Sequence, residues 1–256
     1  MRSSLPLLAL AVLASGCASH EEMREPRSLL QSGLINDSKE AARLEQKLTD
    51  KDIAALLDAD IRAKVPTKLA LAAVSDGYSP YRWGCYSPRS GLSTISAEEL
   101  QRWEAVVQGV SYIEGVMPVT ALSIGSTDLK LHDLRAAAAA MGCELLLLYH
   151  VSDSGVDNYT DAAALYWTFV GLWLAPGNLY EHRTVMQAII VDCRTGAILG
   201  TATGDSHLRA ACPAAYGEVQ EGKLAQEAHQ KAMDDLLKAC KPVLKAIVTK
   251  AAQPRR

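Results

Sequence analysis

The spacing of apolar residues changes several times along the chain, and each change predicts an element. From Ser38 onward Ala41, Leu44, Leu48, Ile53, Leu56, Leu57 and Ile61 recur every three or four places, which predicts an amphipathic helix ended by Pro66. "TKLALAAVS", Thr67 to Ser75, is a compact apolar run suited to a buried strand. "DGYSPYRWGCYSPRSG", dense in Gly, Pro and Ser, predicts a loop. Ser96 and Glu99 have capping-box spacing ahead of a helix that buries Leu100, Trp103, Val106 and Val107. "SYIEGVMPVTALSIG" is β-branched and ends in glycine; a second helix then starts near Ser126 and stops at Gly142, a natural C′ residue. "CELLLLYHV" follows at once as another buried strand. The order strand, helix, strand, helix, strand predicts an α/β domain.

The second half has a different rhythm. Ala162 to Pro176 is apolar, with Tyr166, Trp167, Phe169 and Trp173. It is too short to span a bilayer as a helix. A core strand, or one covered by a partner, is the expectation here in preference to membrane insertion. Val185, Gln187, Ile189 and Val191 lie on one strand, Arg194-Thr195-Gly196 makes a tight turn, and Ala197 to Thr203 returns. Tyr216 to Val248 is helical, and Pro242 predicts a kink or two shorter helices. The fold expected is therefore a central mixed sheet with packed helices, then a C-terminal β-hairpin and a long helical segment.

The first residues bear on compartment. Leu5 to Leu13 is an apolar run preceded by Arg2 and followed by the small residues Ala14, Ser15 and Gly16. Its length and flanks suit a secretory signal and fall short of a transmembrane helix. Ala-Ser-Gly-Cys resembles the lipobox of bacterial lipoproteins, with Ala14 where that family prefers Leu. The resemblance implies cleavage before Cys17 and acylation of its thiol, and two or more acyl chains hold a protein stably on a membrane. Ala18 at the next position implies sorting to the outer membrane, facing the periplasm. On this reading residues 1–16 are the signal, 17–37 the lipidated start and a polar tether, 38–250 one α/β domain, and 251–256 a tail.

Composition narrows the chemistry. With 26 Lys+Arg against 29 Asp+Glu the chain is slightly acidic, and loss of Arg2 with the signal makes it more so. Nucleic acid, which calls for a basic face, is excluded as a partner. Of six cysteines, acylation of Cys17 leaves Cys85, Cys143, Cys193, Cys212 and Cys240, an odd number. Cys85 and Cys212 sit in turn-like settings and are the expected disulfide, with Cys240 an alternative partner for either. Cys193, beside the hairpin turn, is too far along the strand from Cys212 to reach it. No C-x-x-C is present, so neither a zinc knuckle nor a redox motif is indicated.

No reactive constellation stands out either. "GDSHL", Gly204 to Leu208, has the wording of a GDSL esterase motif but comes late and lacks a following Asp-x-x-His. Neighbouring Ser206 and His207 would point apart on a strand, so a loop or strand end is expected there. The histidines lack H-E-x-x-H spacing, and "SDSGVDN", Ser152 to Asn158, lacks the closing Glu of a calcium loop and reads as a polar turn. No cofactor and no metal are expected.

The layout from Thr67 to Ile247, with its "IIVDCRTGAILG" hairpin, resembles envelope proteins that share the TolB N-terminal or CsgG-like α/β domain. Asp192, Arg194, Thr195 and Gly196 match the phrase with which such a strand announces its turn. The resemblance implies a non-enzymatic, lipid-anchored protein that binds or scaffolds another envelope component. The runner-up is an oligomeric outer-membrane assembly or secretion component; an anchored hydrolase using Ser206 ranks third.

Overall fold

The computed structural model describes residues 61, 63–76, 90–124 and 130–253. Strands β1 (Thr67–Asp76), β2 (Ser90–Ser93), β3 (Ile113–Pro118), β4 (Cys143–Tyr159), β5 (Asn178–Asp192) and β6 (Ile198–Cys212) form one mixed sheet. Its order is β2-β1-β4-β5-β6, with β3 also against β1. β1 runs parallel to β3 and β4, as crossovers through helices α1 (Ala97–Val107) and α2 (Leu131–Ala140) demand. β2 pairs antiparallel with β1, and β4, β5 and β6 form an antiparallel ribbon. The α/β class and the mixed sheet with packed helices are as the sequence predicts.

The two faces of the sheet hold separate cores. On one, Leu69, Leu71, Leu145, Leu147, Tyr149, Met186 and Ile190 pack under α1 and under the long helix α4 (Gly217–Ala252). On the other, Ala70, Ala72, Leu146, Leu148 and Val191 pack under α2 through Leu134, Ala137 and Ala138. Both faces of β1 and of the first half of β4 are buried, which is why those segments read as unbroken apolar runs. The capping box forms as expected: Ser96 Oγ accepts from the Glu99 amide and Glu99 Oε2 from the Ser96 amide. Gly142, at φ +75°, closes α2, and Gly196, at φ +76°, closes the β5–β6 turn.

Four expectations are corrected. Ser152 to Asn158 is no turn, because β4 runs on to Tyr159 and pairs with β5 along its whole length. Likewise Gly204 to Leu208 is neither a loop nor a strand end but the middle of β6. Of the two outcomes expected at Pro242, the pair of shorter helices is not found: α4 passes through as one helix, where Cys240, Leu244 and Ile247 hold it to the sheet. Ala162 to Pro176 forms no strand, and most of it lies outside the core. It folds as a 3₁₀ segment (Asp161–Trp167) and a short helix α3 (Phe169–Leu174) joining β4 to β5. The helix expected over 38–61 lies outside the described residues apart from Ile61.

Candidate functional site

Three places in the fold gather side chains that could act. The first is the end of the ribbon where β4 leaves at Tyr159, β5 enters at Asn178, β6 leaves at Cys212 and α4 begins. Thr160 anchors the connection there: its amide donates to the Gly177 carbonyl and its hydroxyl to the Pro176 carbonyl, both at 2.8 Å. Thr168 caps α3 by accepting from the Gly171 amide at 2.9 Å. Tyr166 donates to Asn178 at 3.0 Å. Gly171 is needed for a close approach, since a Cβ there would lie 1.9 Å from the Leu165 carbonyl oxygen. The backbone is thus tightly tied, yet the large side chains face outward. Trp167 is 85% exposed, Phe169 78% and Leu174 74%, and Tyr159, Val170, Tyr216 and Val219 are exposed beside them. Trp173 stacks between Phe169 and Tyr216 at ring-centroid distances of 6.5 and 6.1 Å. No charged residue occurs between Asp161 and Glu181. Exposed apolar side chains gathered on one short connection make it a candidate interaction surface.

The second is a cleft between the start of α1 and the first half of α4, where Glu99, Arg102 and His229 converge. His229 Nε2 lies 3.5 Å from Glu99 Oε1. Arg102 bridges Glu98 at 2.7 Å and Asp234 on α4 at 3.5 Å. Hydrogen bonding to the Glu99 carboxylate holds the His229 proton more tightly than usual despite burial, and the same contact lowers the Glu99 carboxyl. Beneath, Trp103 and Tyr149 are fully buried with rings 5.8 Å apart, and burial raises the Tyr149 phenol strongly.

The third is the opposite end of the sheet, where the Asp-x-Arg-Thr-Gly phrase lies. Asp192, fully buried, accepts from the Ala63 amide at 3.1 Å and the Arg194 amide at 2.8 Å. Arg194 pairs with Glu144, and Arg135 of α2 donates to the Cys193 carbonyl. Within the turn the Gly196 amide donates to the Asp192 carbonyl at 2.8 Å and the Ala197 amide to Thr195 Oγ1 at 3.2 Å, so the phrase serves the turn and its tie to β4.

The other residues singled out by sequence are dispersed. Ser206 is buried under α4, opposite Thr184 on β5, whereas His207 turns to the other face and meets Glu181 at 3.4 Å. Cys212 is buried at the end of β6, across from Asn178; Cys85 and the lipobox Cys17 lie outside the described residues. Burial pushes the Cys193 and Cys240 thiols up to about 12, and raises Cys143. Among the described residues no group of three or more His, Cys, Asp or Glu could hold a metal, and no helix is long and apolar enough to cross a membrane.

Comparison with known proteins adds little to this geometry. No family model matches the chain, and no curated protein does. The chain is similar to a PelC dodecamer from Paraburkholderia phytofirmans, at 13% identity and TM-score 0.34, over 73% of this chain and 94% of that one. It is also similar to a hypothetical protein, CT253, from Chlamydia trachomatis, at 7% identity and TM-score 0.34, over 70% and 98%. Likeness this loose carries no argument about function.

Sequence reasoning picked out the aromatic segment but placed it in the core or in a covered strand. The missed signal was its lack of alternation together with Thr168 and Gly171, which serve a tight helical turn rather than a pleated strand. The α1–α4 cleft was missed altogether, because Glu99 and His229 are 130 residues apart.

Proposed function

We propose that this is a lipid-anchored protein of the cell envelope that works by docking rather than by catalysis. Its acylated Cys17 holds it to the membrane, and its aromatic tip is the face it presents to another envelope component. The exposed tip carries this reading. Burying a side chain such as Phe, Leu or Val contributes about 1.5–3 kcal/mol, and here several are held in water by a connection whose backbone is fixed by Thr160, Thr168 and Gly171. A docking surface accounts for that arrangement, since the burial is then completed on binding.

The test uses the full-length acylated protein extracted from native membranes in mild detergent and sized by sedimentation. Wild type is expected to run as a complex larger than the monomer. Joint Trp167→Ser, Phe169→Ser and Trp173→Ser substitution is expected to release the monomer, while Asp205→Ser, on an exposed part of β6, keeps the complex. Should wild type run as a monomer, or the triple variant keep the complex, the reading fails. A complex made only of this chain would favour the assembly-component alternative.

A further inference from the structure

The α1–α4 cleft has a property that neither docking nor anchoring requires. Two different attachments hold α1. Its second half is fixed by burial, with Trp103 and Val107 in the core. Its first turn is held by Ile95 and Leu100 against the core, by Ser96 Oγ accepting from the Glu99 amide, and by one carboxylate that reaches across: Glu99 Oε2 closes the capping box at the Ser96 amide (3.0 Å), while Oε1 faces His229 of α4 at 3.5 Å. Between them opens a cleft of about 300 Å³, lined by Ser96, Glu98, Arg102, Gln226 and Met233 besides the pair itself.

We propose that the Glu99–His229 contact is a proton-operated latch: with His229 protonated the first turn of α1 is held against α4, and with His229 neutral that turn loosens and the cleft widens. The groups facing His229 favour its charged form from two sides. From α1 comes the Glu99 carboxylate, and from β4 comes Asp153, itself held by Thr184 Oγ1 at 2.6 Å and by His182 at 3.6 Å on β5. Arg102 on α1 opposes them, but Glu98 and Asp234 occupy its guanidinium. On α4 itself the cleft-lining neighbours Gln226, Gln230 and Met233 carry no charge. The sign follows from these contacts. The His229 proton is bound more tightly in the fold, so the latch is fully closed below the ordinary imidazole value of about 6.5 and is lost as pH rises through the raised one.

Hydrogen exchange on the full chain at pH 5.5 and 8.5, corrected for intrinsic rates, tests this. Opening of residues 99–101, the first whose amides have acceptors, is expected to rise about two- to fivefold at the higher pH, the range set by a partly exposed ion pair. α2 should show no such change. His229→Gln is expected to remove the pH dependence and leave the turn as open at 5.5 as wild type is at 8.5. In wild type alone, the imidazole carbon signals of His229 should titrate above the value of a free histidine. A first turn whose protection ignores pH, a His229→Gln protein that keeps the dependence, or a midpoint at or below the free value would overturn the latch.

Discussion

Gly204 offers the sharpest quantitative test of the packing. It sits in the middle of β6, where α4 crosses the sheet. A Cβ built there would lie 2.1 Å from the Ala232 carbonyl oxygen, 2.6 Å from the Leu236 amide nitrogen and 3.0 Å from Leu236 Cβ. Two of those three atoms are helix backbone, so no side-chain rotation relieves the clash. α4 must move outward by about 1 Å to restore contact, and it buries Ala232, Met233, Leu236 and Cys240 on that side. Overpacking typically costs about 1–3 kcal/mol, and a rigid backbone wall argues for the upper end. Restricting the unfolded chain returns about 0.4–1 kcal/mol. Gly204→Ala should therefore destabilise by about 2–3 kcal/mol, lowering Tm by roughly 5–10 °C in a domain of this size. The assay is thermal unfolding followed by circular dichroism, with urea titration alongside. Gly115→Ala on β3, where nothing lies within 4 Å of the new Cβ, serves as control and should move Tm little. If Gly204→Ala unfolds within 2 °C of wild type, or no lower than the control, the close helix–strand approach is wrong.

Other outcomes follow from the same geometry. Asp192→Ala strands the amides of Ala63 and Arg194 without their buried acceptor and should cost about 3 kcal/mol, two lost partners at 1–3 kcal/mol each less relaxation; urea unfolding with an unchanged midpoint would contradict it. Cys193 and Cys240, with thiols pushed up to about 12, should resist maleimide at pH 7.5 in the folded protein and react promptly in urea, read by intact mass. Bonds from partners hold Glu99 and Glu144 below the usual carboxylate range, and at Asp153 they outweigh the opposing effect of burial. Their stabilisation is present above the ordinary carboxylate values and lost as pH falls through the lowered ones, while that of His229 fades on the alkaline side. Tm should accordingly peak between about pH 5 and 7, and a Tm still climbing from pH 7 to 9 would count against this balance. Cys17→Ala should leave the protein unacylated and absent from the membrane fraction, checked by fractionation and mass.

What could be read from the chain divides by physical range. Capping at Ser96 and Glu99, the stop at Gly142 and the turn at Gly196 are local, each set by hydrogen bonds or backbone freedom within a few residues, and all three stand in the structure. The extension of β4 through Ser152 to Asn158 was hidden because its polar residues resemble a turn; pairing with β5 along fifteen positions supplies the backbone partners that the local sequence does not announce. Gly204 and Ser206 looked like a motif because close helix packing and a nucleophile's turn both select small residues. The Glu99–His229 pair depends on where α4 returns across α1, which no spacing encodes. Trp167 and Phe169 were expected in the core or under a partner because large apolar residues are usually buried, and only tertiary structure shows that the fold itself leaves them outside.

The ribbon gives the molecule two poles. Ala63 is tied to Asp192 where β4 begins, and the aromatic cluster lies where β4 ends, seventeen residues or roughly 55 Å away at the usual strand rise. With residues 38–61 helical, as the sequence predicts, the stretch from Cys17 to Ile61 reaches at most about 105 Å, still close to twice that separation. If the proposed acylation of Cys17 is what holds the protein, that reach lets either pole meet the bilayer, and lipid attachment alone does not choose the heading. On the proposed docking, that choice falls to whatever grips the far pole, which would make orientation, and not only affinity, the quantity the tip controls.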